Sequence, residues 1–521
     1  MSEETVTLPA VPETLPDDLE TLKAMIRELL AQLRASRRHE EQLQNKVSEL
    51  LAKLFGRKSE KIDPNQLSLI DWESLGMAPV EVPEPPPALP PEPTPWRKGH
   101  GRRRPPRELP RRRIIHEVPE NERLCPCCGK PKEVIREEIS EQYDYQPASF
   151  FVNEHVRLIY ACRKGCQEAP VIAPKPPQPI DKGLPGPGLL AHVAISKYCD
   201  HLPLYRQEGI YRRQGVDLSR STLCGWIREV AGLVAPVVDH LKQDLLRSDV
   251  IGTDDTTVPV LDPGQKVTAT GRLWVYVGDD DHPAVIFDYT PTRERAGPVA
   301  FLDGYKGYLQ ADAYSAYDGI YAGGEIQEVA CWMHARRYFH KASQADPARP
   351  CVALALIQQL YLVEKACKDM TPERRRAYRQ EHAVPILDHL EEWMTLQEAV
   401  TPPKSLLGEA LRYSRNQWQA LRRYTEDGRL PIDNGRSERA LRQVALGRKN
   451  WLFAGSDEGG HRAAALYTIL ETCKRNGIEP FAYLRDLLEQ IPTCPPDQVA
   501  ELAPLAWARR RRAKVTAAAA G

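Results

Sequence analysis

The first long pattern in the chain is a seven-residue one. Leu19, Ile26, Leu33, Val47 and Leu54 fall in one series, with Glu40 in the same register, and Leu22, Leu29, Leu43 and Leu50 form a second series that holds Ser36. Two apolar series offset by three positions are the a and d seam of a coiled coil. The polar pair Ser36 and Glu40 interrupts it midway. The spacing predicts one helix over 16–55 that joins copies of the chain into a homodimer or higher oligomer, because its acidic and Pro-rich flanks offer no core to pack on.

Periodicity then stops. Residues 56–113 combine a Pro-rich linker, VPEPPPALPPEPTP, with the basic arm WRKGHGRRRPPRELPRRR. Residues 114–172 hold strand-like segments around clustered cysteines, and APKPPQPIDKGLPGPG forms a second linker. The stretch 183–247 reads as helical, with Ser219 placed to N-cap the helix in GVDLSRSTLCGWIREV. The preceding helix and turn fit a helix-turn-helix and fit plain helical packing equally well.

From 249 the pattern shortens to strands. SDVIGTDDTTVPVL, GRLWVYVGDD and PAVIFDYTPTR read as three consecutive strands. TRERAGPVAFLDG reads as a helix, KGYLQADAYSAYDG as a strand running into a helix, EIQEVACW as a fifth strand and MHARRYFHKAS as a helix. Residues 345–430 carry helical patterns throughout, IDNGRSERALR opens another helix after Asn434-Gly435, and 456–490 holds two helices with a Gly-containing turn. A basic tail, 491–521, closes the chain with ARRRRAK.

Charge changes this picture only through its distribution. Lys plus Arg and Asp plus Glu both number 71 over 521 residues. Yet Arg97–Arg113 contains nine Arg or Lys and one acid. A flexible arm with Arg102, Arg103, Arg104, Arg111, Arg112 and Arg113 would neutralise phosphates and give salt-dependent, sequence-blind affinity for DNA. No apolar run approaches 18 residues, so no membrane span or membrane partner is expected. The acidic, Pro-rich N-terminus does not match a signal peptide, and a cytoplasmic protein is expected.

Five of the 12 cysteines fall between 125 and 166. Cys125-x-x-Cys128 and Cys162-x-x-x-Cys166, separated by 33 residues, supply four thiolates able to close tetrahedrally on zinc. Cys127 is an alternative ligand. Such a closed site would be structural and would hold a small DNA-binding or protein-contact module.

The strand order β-β-β-α-β-α-β-α matches a ribonuclease-H-like arrangement. In it the first and fourth strands are neighbours, so Asp254 and Asp312, 58 residues apart, can converge. A third acid must come from a later helix, and Glu438 in IDNGRSERALR is the candidate. Three convergent carboxylates suit two magnesium or manganese ions held about 4 Å apart. Each acid also has an ordinary use: Asp254 or Asp255 in capping a turn, Asp312 in capping a helix, Glu438 in pairing with Arg442. Alternation puts Asp254 and Asp255 on opposite faces of a strand covered on both sides, so it does not choose between them.

Taken together and in order, LFGRKSEK, CPCCG with CRKGC, DDTTVPVL, YLQADAYSAYD, CWMHARR, IDNGRSERALR, GRKNWLFAGSDEGG and GIEPFAYLRDLL resemble the insertion sequence 66 family of DDE transposases. The resemblance covers nearly the whole chain. It implies catalytic and magnesium-binding roles for Asp254, Asp312 and Glu438. This chain has Asp255 and Thr257 where the family often has Glu and Pro, and spaces its second cysteine pair by three residues where two are usual.

The expected architecture is a multidomain α+β protein. It has an N-terminal coiled coil (16–55), a linker and arm (56–113), a zinc knuckle (114–172) and a helical region (183–247). A ribonuclease-H-like α/β catalytic core (248–344 and 431–455) follows, with an all-helical insertion (345–430), then C-terminal helices (456–490) and the tail. The implied chemistry is cleavage at the 3′ ends of an element, followed by attack of the freed 3′-hydroxyls on target DNA. The implied partners are transposon ends, target DNA and accessory proteins of the same element, at a bacterial nucleoid. His334, Arg336 and Arg337 are candidates to hold phosphates near the site. A zinc-dependent DNA-binding protein without catalysis and a magnesium-dependent nuclease are the alternatives.

Overall fold

A computed structural model describes residues 18–55, 150–155, 159–160, 171–172, 176–181, 183–261, 267–314 and 317–520. The proposed zinc ligands Cys125, Cys128, Cys162 and Cys166, and the basic arm with Arg102–Arg104 and Arg111–Arg113, lie outside the described residues. The chain divides into two units, Met1–Pro83 with Ile159–Gly521 and Glu84–Leu158. Every element below belongs to the first.

The heptad region forms one helix, α1 (Leu19–Phe55), of 37 residues, about 55 Å long at about 1.5 Å per residue. Asp18 caps it, its carboxylate accepting from the backbone N–H of Thr21 at 3.0 Å. The seam residues Leu19, Ile26, Leu29, Leu33 and Leu43 are each at least 50% exposed.

Helices α2 (Pro187–Tyr198), α3 (Leu204–Arg213) and α4 (Arg220–Leu245) lead to the sheet. Ser219 caps α4 by accepting from Thr222 N–H at 3.2 Å. By length and composition α4 passes as a membrane span. However, Leu223, Trp226, Ile227, Val230, Val234, Val237, Leu241 and Leu245 recur at helical spacing and are buried within the fold.

The strands are β1 (Val250–Val260), β2 (Ala269–Val277), β3 (Val285–Thr290), β4 (Gly307–Gln310) and β5 (Ile326–Val329). They form one five-stranded sheet in the order β3-β2-β1-β4-β5. β1–β2 and β2–β3 pair antiparallel, whereas β1–β4 and β4–β5 pair parallel. A separate antiparallel ladder joins Ile159–Tyr160 to Val171–Ile172.

β1 is the sheet's spine and outruns β4. Their register ends at Gly252↔Gln310, so β1 beyond that point has a strand only on its β2 side until Val260 bridges Ala454. That gap explains how Pro259 sits inside a strand without costing a ladder bond: it has no N–H to give, and its carbonyl accepts from Ala454 N–H at 2.8 Å.

Helix α5 (Ala296–Phe301) follows β3, and α6 (Trp332–Ser343) follows β5. Residues 349–425 are helical: α7 (Arg349–Ala366), α8 (Pro372–His382), α9 (Val384–Val400), α10 (Leu406–Asn416) and a short turn-rich segment to Thr425. Their core is one apolar cluster shared with α6, including Trp332, Phe339, Leu356, Leu387, Trp393 and Leu411. Buried Arg379 is tied there, donating to both oxygens of Glu364 at 2.7 Å each and to the carbonyls of Tyr424 and Asp427.

Helix α11 (Gly435–Trp451) returns the chain to β1, and α12 (Asp457–Arg475) covers the exposed edge of β3. Thr472 and Thr468 accept from the N–H groups of Val285 and Phe287 at 3.0 and 2.8 Å. Four residues of helix rise about 6 Å and two of strand about 6.7 Å, so one threonine per turn matches every second strand residue. An edge that would otherwise invite pairing is closed. Helix α13 (Pro480–Gln490) follows a turn at Gly477, whose φ is +63°.

The residues after Gln490, expected as a tail, continue as helix over Pro504–Ala520. Trp507 docks that helix, donating to Asp486 at 2.6 Å and meeting Tyr483 edge-on. A single buried tryptophan anchored what the arginine run alone made look like a free tail.

Candidate active site

The parallel register of β1 and β4 governs the site. Gly252 pairs with Gln310, so Asp254, midway along β1, and Asp312, just past the C-terminal end of β4, each lie two residues beyond the last pair of the parallel ladder. Such strand ends are where open α/β sheets bind ligands.

Glu438 reaches them because the loop before α11 is fastened on three sides. Gln310 Nε2 donates to Pro431 O at 2.8 Å. Trp332 N–H donates to Ile432 O at 3.2 Å. Asn434 Nδ2 donates to Thr253 O at 2.6 Å, satisfying a carbonyl that β4 is too short to pair. Gly252 permits this approach: a Cβ there would lie 2.8 Å from Ser437 Oγ and 3.0 Å from Asn434 Oδ1. Glu438 therefore sits in the first turn of a helix pressed against β1.

Asp254 feels the charges of the other two carboxylates. Burial raises the Asp254 carboxyl to about 7, with the charges of Asp312, Asp255 and Glu438 pushing the same way and a hydrogen bond from Asp255 N–H, at 2.8 Å, opposing them. Burial raises Asp312 too, against the pull of His334 and Arg293. Asp312 and Glu438 keep 26% and 28% of their side chains exposed, so a phosphate can reach them from solvent. Among the described residues no three His, Cys, Asp or Glu side chains are gathered tightly enough to hold one ion. Asp254 thus senses Asp312 and Glu438 through space, without a closed cage among the described residues.

The two aspartates of DDTT have divided surroundings. Asp255 is 3% exposed and accepts from Arg272 Nη1 at 2.8 Å and from Arg293 Nε and Nη2 at 3.1 and 2.8 Å. Its carboxylate oxygens are both taken up by arginines. Arg293 also stands 3.9 Å from Asp312 and lies over the Tyr314 ring at 3.7 Å. Asp254 has no arginine or lysine partner among the described residues.

His334 and Arg337, on α6, each come within 3.9 Å of Glu438. Burial and the Arg337 charge lower the His334 imidazole below its usual value. Arg336 acts on Tyr361, which bonds Asp433 just before α11 at 2.9 Å. The chain thus brings together Asp254, Asp312, Glu438, His334 and Arg337. Asn434, Gly252, Arg272 and Arg293 escaped sequence reasoning. Only the DNG turn hinted at one of them.

Four family models match successive parts of the chain. A family model described as "Transposase IS66 family" matches residues 182–462, and "IS66 C-terminal element" matches 468–505. "Zinc-finger binding domain of transposase IS66" matches 122–166, which spans Cys125, Cys128, Cys162 and Cys166, and "Transposase C of IS166 homeodomain" matches 42–114. Among curated relatives, the uncharacterized protein y4hP of Sinorhizobium fredii is 34% identical over 80% of this chain and 78% of its own length. The uncharacterized protein y4jD of the same organism is 31% identical over 92% and 94%.

Proposed function

Because the chain belongs to the IS66 family of transposases, we propose that it cuts and joins DNA with Asp254, Asp312 and Glu438 as its catalytic acids. The observation that carries this reading is the placement of Asp254 and Asp312 two residues beyond the same ladder pair, with the Asp254 carboxyl lifted to about 7 by burial and by the charges of Asp312, Asp255 and Glu438. A structural acid is paired, as Asp255 is. An acid raised by burial and by neighbouring acids, and left without a cationic partner, suits a functional position.

The sheet order, antiparallel on the β3 side and parallel on the β5 side, supports a ribonuclease-H-like core over 248–344 and 431–455, with 345–430 as a helical insertion. The donor chemistry fits a divalent cation: three hard carboxylate oxygens around Asp254, which has no cationic partner, suit magnesium or manganese, and Asp254, Asp312 and Glu438 would hold it. Bound there, such ions supply an activated water or 3′-hydroxyl and stabilise the leaving oxygen.

The chain's own residues have separate duties. Asp255 pins Arg293, which in turn faces Asp312. Asn434 ties the start of α11 to β1, and Ser437 packs close over Gly252, so Glu438 stays in reach. His334 and Arg337 flank Glu438 on the open side, where they suit a DNA phosphate.

The zinc-finger match supports Cys125, Cys128, Cys162 and Cys166 as zinc ligands in a module over 114–172. Exposed leucines on α1 support oligomerisation through 16–55. The arm with Arg102–Arg104 and Arg111–Arg113 adds sequence-blind grip on transposon ends and target. The same reading puts the protein at a bacterial nucleoid, with accessory proteins of its element.

A strand-transfer assay on terminal inverted-repeat DNA tests the reading. Joined products are expected. Cut but unjoined products indicate a nuclease, and retarded but uncut DNA indicates a binding protein.

A further inference from the structure

Helix α11 carries a feature that the three acids do not use. Its buried side, with Ser437, Ala440, Leu441, Val444 and Gly447, faces the sheet. Beside that side runs a second stripe: Glu438, Arg442, Ala445 and Lys449, at i, i+4, i+7 and i+11. Arg442 and Lys449 are exposed, and among the described residues neither has a hydrogen bond or ion pair. Of the other cations on this helix, Arg439 is exposed and likewise without a hydrogen bond or ion pair among the described residues, next to Glu438 but off the stripe, and two are already used. Arg448 bonds Thr256 Oγ1 and the Thr257 carbonyl at 2.9 and 2.6 Å, and Arg436 pairs with Asp280 at 3.0 Å.

We propose that this stripe is a track for DNA, on which Arg442 and Lys449 contact phosphates of the strand whose scissile bond lies at Glu438. The proposal deepens the transposase reading and rests on it. From Glu438 to Lys449 the helix rises about 16 Å, which spans about five base-pair steps of about 3.4 Å. Ala445, between the two cations, is small enough to let the backbone come close. A stripe that begins at a catalytic acid and continues as unpaired positive charge favours a polyanion passing through the site. An acidic protein partner would not need to start at Glu438.

The stripe ends at a second unusual feature. Leu452 closes α11 with φ +65° and ψ −46°, a conformation that costs a residue with a Cβ of order 1–3 kcal/mol. It is 62% exposed, and Phe453 after it is 40% exposed. Strain that holds an apolar pair in solvent at the end of the cationic track fits an apolar contact with the bound DNA.

The test is the salt dependence of binding of the full-length protein to inverted-repeat DNA without added divalent metal. Each lost phosphate contact reduces the slope of log K against log salt by about 0.9. Arg442→Ala with Lys449→Ala should reduce it by about 1.8. Lys365→Ala with Lys368→Ala, the same charge change on the helical block, should leave it unaltered. Arg442→Lys with Lys449→Arg keeps both charges and should keep the slope, which separates charge from misfolding. An unchanged slope in the alanine pair overturns the track. So does an equal fall in both alanine pairs. Failure of the wild-type protein to cut this DNA when metal is present overturns the transposase reading instead, whatever the slopes.

Discussion

Asp254 on β1 and Asp312 just past the end of β4 each lie two residues beyond the Gly252–Gln310 pair that ends the ladder between these parallel strands. Asp255, one residue from Asp254, faces a different world of two arginines. One strand therefore carries a functional acid and a structural acid side by side, and substitutions should separate them.

Asp254→Asn should abolish DNA cleavage and leave DNA binding intact. Asp255→Asn should do the reverse of a catalytic knockout: much of the cleavage activity remains at low temperature, while stability falls by about 2–3 kcal/mol. That figure is set below the cost of breaking a fully buried pair because Arg272 and Arg293 are partly exposed. Urea unfolding and single-turnover cleavage of both variants check this, and equal loss of activity in the two would remove the distinction.

Gly252→Ala should cripple catalysis without touching any acid. The new methyl would meet Ser437 Oγ and Asn434 Oδ1 at 2.8 and 3.0 Å, so α11 must lift from β1 and carry Glu438 with it. The expected cost is about 1–3 kcal/mol in stability, with kcat reduced at least tenfold and DNA affinity preserved. Normal kcat in this variant would mean that the contact between α11 and β1 does not position Glu438.

Asp254 also predicts a pH dependence of stability in the metal-free protein. Its folded carboxyl is raised to about 7 from 3.8, so between these values the folded state binds more protons than the unfolded state. Stability from this group therefore falls as pH rises from about 4 to about 7. Asp254→Asn removes that loss. Its Tm should match the wild type at pH 4 and exceed it at pH 8, as differential scanning calorimetry of chelator-treated protein can measure. A Tm difference that does not vary with pH would contradict the shift.

In the helical block, Arg379→Ala should be far more damaging than its distance from the acids suggests. Arg379 is 1% exposed and holds Glu364 and the carbonyls of Tyr424 and Asp427. Removing one partner of such a pair costs about 3–5 kcal/mol, and thermal unfolding should record it. Arg376→Ala, exposed on the same helix, should shift Tm by much less.

How far the sequence announced this site follows from the physics of each contact. Strand order was legible because apolar runs and turns are local signals, and that order alone made Asp254 and Asp312 neighbours. Glu438 was legible because Asn434-Gly435 breaks the chain before an apolar-periodic helix. The link from Asp255 to Arg293 was not, since nothing local marks an arginine 38 residues away as a partner. Thr468 and Thr472 gave no sign of closing a sheet edge, because threonines on a helix usually bond their own turn. Gly252 looked like an ordinary strand residue until a helix was seen to press on it. The choice between Asp254 and Asp255 came from family resemblance, and the arginines around Asp255 now give it a physical reason.

The central claim is that Glu438 completes a catalytic set with Asp254 and Asp312. Glu438→Gln keeps the size and first-turn position of the side chain and removes only its charge. Single-turnover 3′-end cleavage of inverted-repeat DNA by this variant should fall by at least a thousandfold at unchanged DNA affinity. Cleavage at the wild-type rate would contradict the claim and take the third acid away from α11.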